Sequence, residues 1–436
     1  MEVSVKNFAT LSEANVHIGG LTVITGENDT GKSTIGKVLF SLVKAVARYE
    51  EDLSVAKETR VIDEAEKVYF SIRRTINVAN NLELRDLFHP KKLYLQLKVD
   101  KYKAYSERLE AINALDLDPE IIDSYVLSLQ KILAIMDEPE DKESIIRHAI
   151  SKSFFSEFKD EIISKGSRSP KHASLNITDG ASDLLGISWN SNGSGIKDFI
   201  YTDDLGYDDA TYIDSPSIMQ FHNLVKMAKT LFEKDPSRLT VPLHMKDLAN
   251  KLGDSKYGFS VMSELFQESD ECLSVASEIN KLFNGVVSYD DTTSDFVLVR
   301  NGYSVSSSNM ASGIRALGVL EMLITGGSVT PNTLLILDEP EINLHPRWQV
   351  DYSEIICKLV ASGVDVIVNT HSPYVVEALN YYSQKTGIDN KFYLASRDST
   401  YQSKIEDITG QVDIIIKSLS DPLIKLNEKL VDDFFE

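Results

Sequence analysis

Eight residues, Gly26-Glu27-Asn28-Asp29-Thr30-Gly31-Lys32-Ser33, fit the spacing G-x-x-x-x-G-K-[ST], and Thr34 follows them. The two glycines let the backbone curl until its N–H groups face one point, at the start of a helix that favours anions. Lys32 is expected to reach the β- and γ-phosphates of a nucleotide, and Ser33 to ligate Mg²⁺. All nine residues from Gly26 to Thr34 are therefore expected to contact ATP.

A second polar cluster lies far along the chain. Asp338-Glu339 ends the apolar run Thr333–Leu337. Two carboxylates at the end of a buried strand are costly unless they act. Asp338 is expected to hold Mg²⁺, directly or through water, and Glu339 to orient and deprotonate an attacking water. His371 closes the next apolar run, "VDVIVNTHS" (Val364–Ser372), where it would contact a γ-phosphate. Between the two halves, Ser312-Gly313 precedes an apolar-periodic helix (Ile314, Leu317, Leu320, Ile324) and Arg315 adds a positive charge in its first turn. A small Ser-Gly step at a helix start is a further anion site, although it is also a common cap.

The elements that must carry these residues are legible too. "LTVIT" (Leu21–Thr25) is apolar and β-branched, as a buried strand should be. Apolar residues at Ile35, Val38, Leu39, Leu42, Val43 and Val46 have helical spacing over Ser33–Tyr49. Thr333–Leu337 reads as a buried parallel strand, with a helical segment over Arg347–Ala361 before the next strand. In such β-α-β units the strands' C-terminal ends converge on one crevice, which would bring Lys32, Glu339 and His371 together for catalysis.

"GENDTGKS", "ASGIRAL", "LLILDEPEINLHP" and "NTHSP" resemble the motifs of ABC-type ATPase heads, and the N-terminal "VSVKNFATLSEANVHIGGLTVITGENDTGKST" resembles the SMC, RecF and OLD branch. The resemblance covers about the first 50 residues and residues 300–385. It implies an α/β fold: a P-loop NTPase head of ABC type with a mixed or parallel sheet, interrupted by a mainly helical insertion. It also implies a composite site, in which two heads sandwich two nucleotides. Ser312, Gly313 and Arg315 of one copy would cap the γ-phosphate held by the other, with Asn343 and His345 in the dimer-facing loop. A glutamine loop sensing Mg²⁺ is implied as well, and Gln220, after "YIDSPSIM", is the candidate metal-site residue.

The intervening chain divides by pattern into an N-terminal part of the head (1–50), a mainly helical insertion with a small β meander (51–205), a return strand (206–225), a helical segment (226–283) and the C-terminal part of the head (284–436). Pro90, Pro119 and Pro139 punctuate the insertion, and no heptad run long enough for a coiled-coil arm appears. A final helix is expected over Ser420–Glu436, capped by Ser420 or Asp421 and begun by Pro422. The stretch after His371 is short for a TOPRIM nuclease domain of the kind OLD proteins carry.

Composition bounds the function classes. With 42% hydrophobic and 25% charged residues the chain has a globular make-up. No apolar run approaches the roughly 20 residues of a membrane helix. Cys272 and Cys357 form no metal motif, and a cytoplasmic setting is expected. A net charge of −21 opposes nucleic-acid binding. Yet Lys91, Lys92, Lys98, Lys101, Lys103 and Arg108, with Tyr94, Tyr102 and Tyr105 among them, form one basic aromatic segment, commonly a solvated face and less often a DNA grip. The leading expectation is an ATP-hydrolysing switch that dimerises on ATP and controls a separate nuclease or toxin, by analogy with ATPase subunits of bacterial anti-phage systems. A RecF-like or SMC-like DNA-repair clamp is the alternative.

Overall fold

The computed structural model describes residues 1–47, 49–75, 82–115, 117–137, 142–159, 161–164, 172–190, 195–230, 240–265, 271–398 and 402–421. They form two compact bodies, one built from residues 1–47 and 147–436 and the other from residues 48–146.

The larger body is organised by an eleven-stranded sheet. Its strands are β1 (Glu2–Phe8), β2 (Leu11–His17), β3 (Leu21–Gly26), β4 (His172–Asp179), β5 (Ser182–Asn190), β6 (Ile196–Tyr201), β7 (Asp209–Ile213), β13 (Thr333–Asp338), β14 (Val366–Thr370), β15 (Asn390–Arg397) and β16 (Ser403–Asp407). The order across the sheet is β6-β5-β4-β1-β2-β16-β15-β3-β14-β13-β7. One half, β7, β13, β14, β3 and β15, is parallel. The other half is largely antiparallel, with β16 joining the two by pairing antiparallel to β15 and parallel to β2.

The parallel strands are buried on both faces, which explains their unbroken apolar runs. Helix α1 (Lys32–Ala47) packs on one face, where Gly36 lies so close to Ile336 that an added Cβ would sit 3.0 Å from its Cγ2. On the other face, Val23, Leu335, Leu337, Val366 and Val368 share an apolar core with α11 (Ser312–Thr325), α12 (Pro346–Ala361) and α13 (Pro373–Thr386). The same body holds α7 (Lys142–Phe158) from its Arg147 onward, α8 (Ile218–Met227), α9 (Leu243–Leu265) and α10 (Glu271–Phe283). A parallel pair, β8 (Lys229–Thr230) and β9 (Thr240–Val241), and an antiparallel sheet of β10 (Val286–Asp290), β11 (Asp295–Arg300) and β12 (Tyr303–Ser306) complete it.

The smaller body is helical: α2 (Tyr49–Thr75), α3 (Leu82–Leu87), α4 (Pro90–Val99), α5 (Lys101–Asn113) and α6 (Pro119–Asp137). Val61, Val68, Leu93, Leu97, Ile112 and Leu129 belong to its own core. Pro90 and Pro119 begin α4 and α6, where a missing N–H costs nothing. Pro139 lies outside the described residues.

Two expectations need correction, the extent of the insertion and the start of the last helix. The compact insertion is residues 48–146, not 51–205: the meander β4–β6 extends the main sheet through the β4–β1 ladder. In the basic segment, two of the six cations are held in ion pairs. Lys92 pairs with Asp86 and Lys101 with Asp137, Lys98 lies 5.1 Å from the Tyr94 ring centroid, and Arg108 is buried, donating to the Ala104 carbonyl and to Gln96. Ser420 and Asp421 do not cap a new helix, because they lie within one that already runs from residue 412; the rest of the expected terminal helix lies outside the described residues. Among the described residues no helix is long and apolar enough to cross a membrane. Both cysteines are buried, and among the described residues neither is in a disulfide.

Candidate nucleotide site

The loop after β3 needs both of its glycines. Gly26 has φ +147°, and a Cβ there would lie 2.2 Å from the Ala395 carbonyl oxygen of the neighbouring strand. Gly31 has φ +83°, and a Cβ would lie 2.6 Å from Leu11 Cδ2, in the β1–β2 hairpin. Thr30 Oγ1 donates to the Glu27 carbonyl at 2.8 Å, closing the turn. Lys32 is buried and its Nζ donates to the carbonyls of Gly26 (3.0 Å) and Glu27 (2.7 Å). Its ammonium therefore arches back over the loop, where an incoming phosphate would find it. Burial lowers the Lys32 pKa, opposed by Glu339, Asp338 and Glu341.

Parallel pairing brings the second cluster to this loop. Because β14 separates β3 from β13, the C-terminal ends of all three strands lie at one edge. Ser33 Oγ donates to Asp338 Oδ1 at 3.0 Å, joining residues 305 apart in sequence. Asn369 Nδ2 donates to the same oxygen at 2.9 Å, and the Tyr212 hydroxyl donates to Asp338 Oδ2 at 2.7 Å. Burial and Asp338 together hold the Tyr212 phenol well above its usual pKa, so it stays a donor. Glu339 has φ +51°, and its N–H donates to the Asn369 carbonyl at 2.8 Å. This left-handed residue turns the chain so that Glu339 as well as Asp338 reaches the site.

His371 sits between two acids. Its Nδ1 is 3.6 Å from Glu339 Oε1 and 3.4 Å from Glu341 Oε1. Buried Glu341 is the anchor: its Oε1 accepts from Thr370 Oγ1 (2.8 Å), His371 N (2.8 Å) and Ser372 N (3.1 Å). Asn369 Oδ1 and His371 Nδ1 have no hydrogen-bond partner among the described residues. Unpaired polar atoms beside a ring of N–H groups, a lysine and hard oxygen donors suit a phosphate with its divalent cation. Ser33 and Asp338 are the residues that would hold Mg²⁺.

A cleft beside Asp338 and Glu339 is lined by Asp214, Ser215, Pro216 and Ala316. Gln220 is not among the lining residues; it is exposed in the first turn of α8. Behind the cleft wall, His244 Nδ1 is 2.6 Å from Glu157 Oε2 and its Nε2 is 3.3 Å from Asp214 Oδ2. Burial pulls the His244 pKa down, but Asp214 and Glu157 outweigh it and raise the pKa to about 9. The imidazole also lies 5.0 Å from the Tyr212 ring, which connects this ion network to Asp338.

Ser312 and Gly313 begin α11 as expected. Gly313 is buried beneath Trp348, where a Cβ would be 2.9 Å from the indole. Arg315 Nη1 donates to the Ser307 carbonyl at 3.0 Å. Asn343 has φ +64° and is exposed; His345 caps α12, its Nδ1 accepting from Arg347 N at 3.3 Å. Sequence reasoning missed Tyr212, Asn369, Glu341 and the His244 network. Glu341 carried a signal, as the third acid of "DEPE", and Asn369 another, as a polar residue within an apolar strand.

A protein-family model described as "AAA domain, putative AbiEii toxin, Type IV TA system" matches residues 137–377, more than half of the chain. The chain belongs to this AAA-domain family. No curated protein matches it. Solved structures similar to this AAA-domain protein include the SMC head domain from Thermotoga maritima (11% identity, 93% of this chain and 98% of that one, TM-score 0.38). An SmcHead bound to the C-winged helix domain of ScpA is similar at 12% identity, covering 93% and 97%, with TM-score 0.44. An Smc head with an extended coiled coil bound to the C-terminal domain of ScpA, derived from Pyrococcus furiosus, is similar at 10% identity, covering 96% and 98%, with TM-score 0.41.

Proposed function

We propose that this AAA-domain protein binds and hydrolyses ATP, closes head-to-head with a second copy on ATP, and uses that cycle to control a separate nuclease or toxin in the cytoplasm. The observation that carries the catalytic reading is the 3.0 Å bond from Ser33 to Asp338, with Glu339 and His371 beside it. Lys32 and the loop N–H groups bind the phosphates. Mg²⁺, when bound, would neutralise phosphate charge. Glu339 takes the proton of the attacking water, and His371, held through its backbone by Glu341, faces the γ-phosphate. Ser312, Gly313 and Arg315 would serve the partner's nucleotide. Such a two-copy site gives ATP a way to open and close a surface. The family description, a toxin of a type IV toxin–antitoxin system, is in keeping with control of a damaging activity. Pairing of Lys92 and Lys101 takes two of the six cations from the DNA-clamp alternative.

Glu339→Gln tests this reading. It removes the base and leaves the phosphate and Mg²⁺ ligands, so it should slow hydrolysis by ~10²–10⁴ and accumulate an ATP-bound dimer on gel filtration. A variant that stays monomeric in ATP and hydrolyses at the wild-type rate refutes it.

A further inference from the structure

The phosphate loop carries its own negative charge. Glu27 and Asp29 both lie where a polyanion must arrive, and Asp29 is exposed with φ +62°. The buried cation of the loop, Lys32, is engaged with the Gly26 and Glu27 carbonyls. A second cation comes from outside every motif. Strand β15 runs parallel to β3 with Ala395 opposite Gly26, so its last residue, Arg397, emerges beside the loop. Arg397 Nη2 donates to both the carbonyl oxygen and the carboxylate of Asp29.

We propose that Arg397 is a positioning residue of the nucleotide site, which neutralises Asp29 and holds the Asp29 carbonyl turned outward so that the loop's N–H groups stay free for phosphate. A loop that binds anions through N–H groups must send its carbonyls elsewhere. The Gly26 and Glu27 carbonyls are directed to Lys32, and the Asp29 carbonyl to Arg397. The same guanidinium offsets a carboxylate whose repulsion would otherwise act on the phosphates over a few ångströms. One residue thereby serves both the shape and the charge of the cradle, from a strand end that no nucleotide motif includes.

The inference rests on the nucleotide-binding reading, and the experiment separates the two. Full-length wild type, Lys32→Ala, Arg397→Gln, Arg397→Lys, Asp29→Asn and the Asp29→Asn/Arg397→Gln double variant are titrated with Mg²⁺-ATP by calorimetry at low and high salt. Wild-type binding that Lys32→Ala abolishes secures the underlying reading; a wild type that binds nothing removes both. Arg397→Gln should weaken binding about tenfold at low salt and less at high salt, because the effect is partly electrostatic. Arg397→Lys, which keeps the charge, should fall between it and wild type. Asp29→Asn should bind at least as tightly as wild type, and the double variant should recover most of the loss. The Asp29 and Arg397 variants should keep the wild-type melting temperature, since the pair is solvent-accessible. Wild-type affinity in Arg397→Gln, or a double variant as weak as Arg397→Gln alone, overturns the proposal.

Discussion

Replacing Glu341 with alanine tests whether the loop bearing His371 is held by one carboxylate oxygen. That oxygen accepts from the Thr370 hydroxyl and from the N–H groups of His371 and Ser372. The three bonds do not fail equally. The Thr370 hydroxyl can rotate, and Ser372 N has a second acceptor, Thr370 Oγ1 at 3.0 Å. The His371 N–H has no such alternative among its described partners. Leaving a buried donor unpaired costs about 1–3 kcal/mol, and loss of the two weaker contacts adds about 1 kcal/mol. The total of about 2–4 kcal/mol falls on the backbone at His371, next to the γ-phosphate position. Glu341→Ala should therefore lower the urea midpoint and reduce steady-state ATP hydrolysis by at least tenfold. Glu341→Gln, which can keep an amide oxygen facing the three donors, should recover most of both. An alanine variant with an unchanged urea midpoint and hydrolysis within twofold of wild type would refute the anchoring argument.

A buried histidine and a buried acid both make stability fall as pH rises, the first by losing a favourable charge and the second by gaining an unfavourable one. The folded-state pKa of His244, about 9, lies above its unfolded value, so its stabilisation is complete below about pH 6.5 and is lost as pH rises through 9. Denaturant titrations from pH 6.5 to 9.5 should show a loss of about 3 kcal/mol that His244→Gln flattens. Glu321 in α11 is raised to about 7 by burial, against a weak opposing contact from Asn280. An acid raised on folding destabilises above its folded pKa, so Glu321→Gln should stabilise by about 3 kcal/mol at pH 8 and by little at pH 4, measured by the same titrations.

What the sequence revealed depends on how local the determining interaction is. Strands β3, β13 and β14 were legible because a strand covered on both faces must be apolar throughout. The loop, Asp338-Glu339 and His371 were legible because their spacing repeats a known chemistry. The meander β4–β6 was misplaced because its alternation is the same whether it stands alone or extends a sheet. The deciding partner, β1, lies more than 160 residues earlier. The pairing within the basic segment was hidden for a similar reason: Asp86 and Asp137, which pair with Lys92 and Lys101, flank it in sequence without forming a pattern. Tyr212 carries no signal at all, since its role follows from β7 lying next to β13 and from the placement of α1.

The position of β3 between β14 and β15 bears on how the chain is made. Every residue of β3 is buried, and both of its ladder partners are encoded after residue 365. At about 5–20 residues per second, a ribosome needs roughly 20–70 s to reach them. From residue 146 onward the helical body of residues 48–146 has all its own contacts in hand, whereas the strand that carries the phosphate loop still lacks both of its ladder partners. The phosphate-loop segment thus leaves the ribosome long before the strands that flank it are made. For that time "LTVIT" is an apolar strand with both edges open, the kind of segment that nascent-chain chaperones cover.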